Sequence, residues 1–131
     1  MTVLKHGLLQ SANHSQADMQ VFSHHLYEYK KGLRSLILHT AKAELKPMFE
    51  KKLERNEIAY FIQDIDSTRF NIFFGDENCV NVVRQFGVSL DKLTDEQDFI
   101  LGVMLGYDRI LQCKRYLSRK NAVKKCGKMA V

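Results

Sequence analysis

The chain has 131 residues, of which 45% are hydrophobic and 27% charged, and its formal net charge is +5. Such a chain is typical of one globular domain that buries roughly two-thirds of the surface exposed by its unfolded state. No apolar run approaches the ~20 residues of a membrane span, and the N-terminal residues lack the apolar segment of a signal peptide.

Cysteine usage indicates the compartment. Cys79, Cys113 and Cys126 are odd in number, widely spaced and without a Cys-x-x-Cys pair. This arrangement argues against a disulfide framework or a zinc knuckle and favours a reducing, cytoplasmic environment. We expect Cys113 to be a buried structural thiol, because no histidine lies near it in sequence.

The positive charge is confined to the C-terminal end. Residues 1–108 carry 12 Lys/Arg and 15 Asp/Glu, hence −3, whereas residues 109–131 carry 8 Lys/Arg and no acid, hence +8. This end is a candidate site for an acidic partner, although a solvated tail is the simpler interpretation. Nucleic-acid binding is a further alternative, but no aromatic residue follows Tyr116 to stack on bases. The basic residues of this candidate partner site are Arg115, Arg119, Lys120, Lys124, Lys125 and Lys128.

The chain divides into three parts. Residues 1–17 show no sustained hydrophobic period, so we expect a loose tail there. Residues 18–120 carry all the periodic segments and should form one α+β domain. Residues 121–131 should be a basic tail.

The first half of the domain alternates helix and strand. Helical spacing predicts a first helix over Asp18–Lys31, which Gly32 ends. The stretch Leu33–Thr40 predicts a first strand, central in its sheet because its middle is apolar on both faces. A second helix should run to about Asn56, with Pro47 in or near its first turn.

Two clear strands follow. Ile58–Asp66 and Arg69–Phe74 are rich in aromatic and β-branched residues, and the short polar connection between them suits a hairpin. Asp76 should cap the next helix and Gly87 should end it. A right-handed crossover between parallel first and second strands, followed by this hairpin, predicts a three-stranded mixed sheet with about five helices.

The longest helical pattern predicts a single C-terminal helix of 27 residues, Thr94–Lys120. Thr94 and Gln97 have the spacing of a capping box. Acids at the start of this helix and bases at its end complement the helix dipole. Beyond Gly106 its apolar stripe consists of Tyr107, Ile110, Leu111, the stem of Lys114, and Leu117.

Gly102 and Gly106 form a Gly-x-x-x-Gly pair that would leave one face of this helix without side chains. Each glycine costs a helix about 1 kcal/mol relative to alanine, so the close approach of another backbone is expected as compensation. The approaching backbone belongs either to this chain or to a second copy in a homodimer. In the homodimer, Asp108 and Arg109 could pair across the interface.

Candidate site residues outside this helix are few. His24 and Glu28 lie four apart, and with His39 they could supply metal ligands, but no companion motif supports a metal site and we predict no metal and no cofactor. His25 lies on the apolar stripe of the first helix and should be a hydrogen-bonded core histidine. A ligand pocket between the sheet and the long helix would be lined by His24, Glu28, Tyr107 and Asp108.

Three segments resemble a small bacterial family catalogued as domain of unknown function two thousand and twenty-three. They are HHLYEYKKGLRSLILHT (His24–Thr40), NIFFGD (Asn71–Asp76) and DFILGVMLGYDRILQCKRYLSRK (Asp98–Lys120), so the resemblance covers about residues 21–120. It implies an α+β domain of three strands and about five helices that forms a homodimer. It also implies a genomic neighbourhood near flavodoxins, but no activity and no catalytic residue.

These observations favour a cytoplasmic, bacterial-type homodimer that acts as a binding or regulatory module rather than as an enzyme, and the resemblance implies a link to a flavodoxin. One alternative is a small enzyme or ligand sensor that uses the pocket between the sheet and the long helix. The other is a nucleic-acid binder that uses the basic end.

Overall fold

The computed structural model describes the backbone of residues 2–129 and the side chains of residues 16–122. Its described part contains five α-helices, three β-strands and two short 3-10 turns, which confirms the α+β class. In chain order the elements are α1 (Thr2–Lys30), β1 (Leu36–Lys42), a turn (Ala43–Leu45), α2 (Lys46–Arg55), β2 (Ala59–Asp64), β3 (Arg69–Gly75), α3 (Glu77–Phe86), a turn (Leu90–Lys92), α4 (Asp95–Met104) and α5 (Arg109–Met129).

The described backbone is helical at both of its ends, Thr2 and Met129. The first helix begins at Thr2, so it also runs through the stretch for which the sequence predicts a loose tail. The side chains of residues 1–15 and 123–131 lie outside the described part of the chain. The predictions that the N-terminal stretch is a loose tail and the C-terminal stretch a basic tail therefore stay predictions.

The prediction of a mixed sheet is wrong, because every strand pair is antiparallel. The strand order is β1-β3-β2, and β3 pairs with β1 from Leu36↔Gly75 to Lys42↔Arg69. The predicted β2–β3 hairpin is present, but β3 inserts between the two other strands instead of extending the sheet beyond β2. The crossover strands β1 and β2 thus run in the same direction without being neighbours. β1 lies at an edge, not at the centre.

The central strand is the most buried one. From Phe70 to Gly75 every residue of β3 is buried, whereas β2 is only half-buried along its length. Successive side chains of a strand point to opposite faces, so a strand that is apolar at every position needs cover on both sides. Apart from Arg69 at its exposed start and Asn71, the residues of β3 are apolar or glycine, and the centre of the sheet provides that cover.

Helices cover both faces of this sheet. Alternation along the strands directs Ile37, Phe70 and Phe74 towards α1 and α2, forming a cluster that we call the α1/α2 core. It directs Leu36 and Phe73 towards α3 and α4, forming a second cluster that we call the α3/α4 core. The domain therefore has three layers: two helices, the sheet, and two helices with α5 attached outside.

The single helix predicted over Thr94–Lys120 is wrong: the chain forms two helices there. Gly106 adopts a left-handed conformation with φ +84°, its N–H donates to the Val103 carbonyl at 3.1 Å, and the N–H of Tyr107 donates to the Gly102 carbonyl at 3.1 Å. These two bonds are a Schellman motif, which ends α4. The Asp108 carboxylate then accepts the N–H of Leu111 at 3.0 Å and begins α5.

Local helix signals elsewhere are confirmed. The Thr94–Gln97 capping box is present, with both reciprocal hydrogen bonds. Asp76 caps α3, and Gly87 ends it with φ +67°. Among the described helices, none is both long enough and apolar enough to cross a membrane.

Candidate functional site

The break at Gly106 folds α5 back on α4, and ion pairs join the two helices. Arg115 donates through Nε and Nη2 to the Asp98 carboxylate at 2.9 and 3.2 Å. Arg119 reaches both Asp95, at 3.0 Å, and Asp98, at 3.2 Å. We call this antiparallel pair, from Asp95 through α5, the α4/α5 hairpin. In the sequence these acids and bases suggest complementarity to the dipole of one helix. In the structure they form ion pairs between two helices.

These contacts change how the predicted basic partner site should be described. Lys120 lies 2.7 Å from Glu96, so all three described members of that site, Arg115, Arg119 and Lys120, have acidic partners on α4. The hydrogen bond from Arg115 lowers the pKa of the Asp98 carboxyl, which keeps that carboxyl ionised at neutral pH. The side chains of Lys124, Lys125 and Lys128 lie outside the described residues. A site for an acidic partner stays a prediction.

Of the apolar stripe predicted for the long helix, Ile110, Leu111 and Leu117 lie on the outside of α5, and Tyr107 lies in the connection before it. Tyr107, Ile110, Leu111 and Leu117 are 52%, 68%, 61% and 57% exposed. We call these four residues, with Lys114 between them, the α5 outer face. The side of α5 that meets α4 carries polar groups instead: the Tyr116 hydroxyl donates to Glu96 at 3.3 Å, and its ring lies 5.6 Å from that of Phe99. The orientation is thus inverted relative to an ordinary surface helix.

The same inversion exposes Cys113, so the prediction of a buried thiol there is wrong. Cys79 on α3 is half-buried, and burial raises the pKa of its thiol. The side chain of Cys126 lies outside the described residues.

The two glycines have different roles. A Cβ on Gly102 would lie 2.2 Å from Oε1 of Gln112, so α5 of the same chain covers its bare surface. A Cβ on Gly106 would meet nothing within 4 Å, and that glycine serves the left-handed turn. The pair is therefore not one face of a continuous helix. Arg109, the remaining predicted interface residue, is exposed at the start of α5. The homodimer stays a prediction, now without this motif as its reason.

A cavity of about 280 Å³ lies between the sheet and the α4/α5 hairpin. Of the four residues predicted for a ligand pocket, Tyr107 lines it, whereas Asp108 is engaged in capping α5. His24 and Glu28 lie on α1, which covers the opposite face of the sheet. The lining residues are Leu38, Leu90, Leu93, Asp98, Leu101, Gly102, Leu105, Tyr107, Gln112 and Arg115.

The histidines form a separate group beside β1. His24 pairs with Glu28 at 2.9 Å, and Arg34 lies 3.7 Å from that carboxylate and 3.4 Å from Nδ1 of His25. The rings of His25 and His39 are 5.5 Å apart, and burial is the main cause that lowers the pKa of each. Within the described residues, no group of three or more His, Cys, Asp or Glu side chains is placed to share a metal ion.

Sequence reasoning missed most of the cavity because it treated the hairpin as one straight helix. Gln112, Arg115 and Asp98 can meet around a cavity only when α5 turns back. The signal was present in Leu105-Gly106-Tyr107-Asp108, which places a helix-ending glycine two residues before a capping aspartate.

Comparison with known proteins identifies one family. The model of the family described as "Protein of unknown function (DUF2023)" matches residues 20–119. This range contains β1 to β3 and the cavity-lining residues, and it ends within α5. No curated protein matches the chain.

Proposed function

The chain belongs to the family described as "Protein of unknown function (DUF2023)", and from that premise we propose that it is a homodimeric binding module whose subunits associate through the α5 outer face. One observation carries the proposal. The helix places its charged side against α4 and leaves its large apolar side chains in solvent, each more than half exposed.

Burial of this face is energetically favourable. Fully burying one large aliphatic or aromatic side chain contributes roughly 1.5–3 kcal/mol, and the face has four that are at present mostly solvated. Ile110, Leu111, Lys114 and Leu117 recur at helical spacing along α5, as in a helix that pairs with another helix, and Tyr107 lies just before this helix begins. A helix seam that is apolar in solvent but charged towards its own domain favours association with another protein.

A second copy is an occupant that the charges allow. Arg115, Arg119 and Lys120 are already paired with acids on α4 of the same chain, so their charge does not oppose the approach of a second α5. Asp108 and Arg109 are adjacent and exposed at the start of α5. A two-fold interface there would pair Asp108 of one copy with Arg109 of the other. Such a self-complementary surface suits an isologous dimer.

Sedimentation equilibrium at tens of micromolar tests this proposal, that range being an ordinary one for a stable homodimer. The wild type should be a dimer, and the double variant Ile110→Glu with Leu117→Glu should be a monomer because it places buried charge in the seam. Its circular dichroism should be unchanged, since both side chains face solvent in the isolated chain.

The matched control is Met48→Glu, which places the same charge on a methionine that is 51% exposed on α2, on the other side of the sheet. That variant should remain a dimer. A monomeric wild type, or equal dissociation of the control and the double variant, would contradict the proposal.

A further inference from the structure

We propose that the cavity under the α4/α5 hairpin binds a small organic carboxylate with an apolar body. This inference is independent of the proposed dimer, because only Tyr107 belongs to both surfaces and the other lining residues lie on the inner side of the hairpin. It depends on three features: an apolar floor, the guanidinium of Arg115 at the mouth, and the carboxamide of Gln112, which occupies the space that a side chain at Gly102 would fill.

The floor is made of leucines from three parts of the chain. It consists of Leu38 of β1, Leu90 and Leu93 of the segment before α4, and Leu101 and Leu105 at the end of α4. The cavity's volume of about 280 Å³ lies just below the roughly 300–1,000 Å³ seen for small-molecule sites. The volume suits one ring or a short aliphatic chain and is too small for a nucleotide cofactor.

Arg115 supplies the positive charge at the mouth. Its Nε and Nη2 bind Asp98, but that carboxylate also accepts a hydrogen bond from Arg119, so one negative charge is divided between two guanidiniums. Nη1 of Arg115 has no partner among the described side chains, although a guanidinium can donate five hydrogen bonds. Part of the positive charge of Arg115 is therefore left uncompensated, and Arg115 lines the cavity.

Gln112 supplies neutral donors on the same wall. Its carboxamide lies directly against Gly102, where any larger residue would place its Cβ 2.2 Å from Oε1. No hydrogen bond to this carboxamide is formed by the other described side chains. An amide held beside a guanidinium offers a second donor to a ligand carboxylate.

The nearby acids do not favour a cationic ligand instead. Asp98 is already bound to two arginines, and Asp108 accepts the N–H of Leu111 at the start of α5. A cation in the cavity would meet Arg115 without a carboxylate that is free to compensate it. A neutral apolar ligand would leave the free donors of Arg115 and Gln112 unused.

The test uses phenylacetate as probe, with phenylacetamide as its neutral isostere and acetate as its counterpart without a ring. Amide chemical shifts of the isotopically labelled full chain are followed during each titration. Phenylacetate should give saturable shifts at Gly102, Leu105 and Tyr107, and the amide and acetate should each bind at least about tenfold more weakly, a difference of about 1.4 kcal/mol.

Two arginine variants distinguish the site from general charge. Arg115→Gln should weaken phenylacetate binding by about tenfold or more, since it removes the charge-assisted hydrogen bonds. The matched control Arg119→Gln breaks an ion pair with the same Asp98 but does not line the cavity, and it should change binding by less than about threefold. The absence of saturable shifts, equal binding of acid and amide, or equal losses in both variants would each overturn the proposal.

The experiment is separable from the dimer. The titration is repeated on the double variant Ile110→Glu with Leu117→Glu, in which the cavity residues are unchanged. Retained binding in a monomeric chain would support the cavity alone, whereas loss of binding only in that variant would show that the site needs the partner subunit and would overturn the inference that it is independent.

Discussion

The two cores of the domain differ in how completely they are closed. In the α1/α2 core, Phe22, Phe49, Phe70 and Phe74 are all fully buried, and the rings of Phe22 and Phe49 stack with their centroids 4.1 Å apart. The α3/α4 core is mainly aliphatic, and beside it the hairpin leaves the cavity open. Aromatic packing fills space on one side of the sheet, and exposed ion pairs hold a helix in place on the other. The difference suggests that stability resides in the first core and ligand or partner contacts in the second.

Truncation of one large side chain in each core should give the largest difference between the two cores in the free energy of unfolding. Phe49→Ala should lower the free energy of unfolding by about 3–5 kcal/mol, because the closed aromatic packing cannot collapse into the space left. Leu101→Ala should cost about 2 kcal/mol, at the low end for such changes, because Leu101 already borders a cavity. Urea denaturation of both variants measures the difference. Equal losses would mean that the cores are equally closed.

Acidification should act on the α1/α2 core. Burial lowers the pKa of His39 from the ordinary value of 6.5, with the charge of His25 adding to the effect and that of Asp18 opposing it. The folded state then binds fewer protons than the unfolded state, so stability is lost as the pH falls below 6.5 towards the folded pKa. The slope is at most about 1.4 kcal/mol per pH unit for one histidine.

The variant His39→Leu should reduce that slope as the pH falls below 6.5, where a histidine of the unfolded chain gains its proton before the buried His39 does. Thermal or urea unfolding at several pH values measures it. Asp98 titrates at still lower pH because its pKa is also lowered, so it should contribute a constant amount while the histidine titrates. A slope that is unchanged in the variant would show that His39 is not the group responsible, leaving His25 as the next to substitute.

The smallest expected effect concerns the glycines of the hairpin. Gly106→Ala should cost about 1 kcal/mol, because φ +84° is unfavourable for any residue with a Cβ. Gly102→Ala should change stability by less than about 0.5 kcal/mol, because alanine's better helix propensity offsets the displacement of the flexible Gln112 end. Chemical denaturation distinguishes them. A larger loss at Gly102 would indicate that the Gln112 carboxamide is held more rigidly than its single contact implies.

The sequence by itself determined the features that depend on neighbouring residues. The Asp76 cap, the Thr94–Gln97 capping box and the β2–β3 hairpin are all local, and each is confirmed. The family was also identifiable from its segments, and its model matches residues 20–119. Helical spacing also placed Ile110, Leu111 and Leu117 on one side of a helix, whereas Tyr107 of the same predicted stripe precedes α5.

Tertiary structure decided what each of these surfaces meets. The position of β3 between β1 and β2 depends on which of the three strands has the most apolar surface to bury on both faces. The local sequence of one strand does not show how it compares with the others. Likewise, a helical period selects one side of α5 without stating whether that side is inside. Once Gly106 turned the helix back, pairing of Arg115 and Arg119 with the acids of α4 oriented the charged side inwards. Because the charged side of α5 packs against α4, its opposite, apolar side is exposed to solvent.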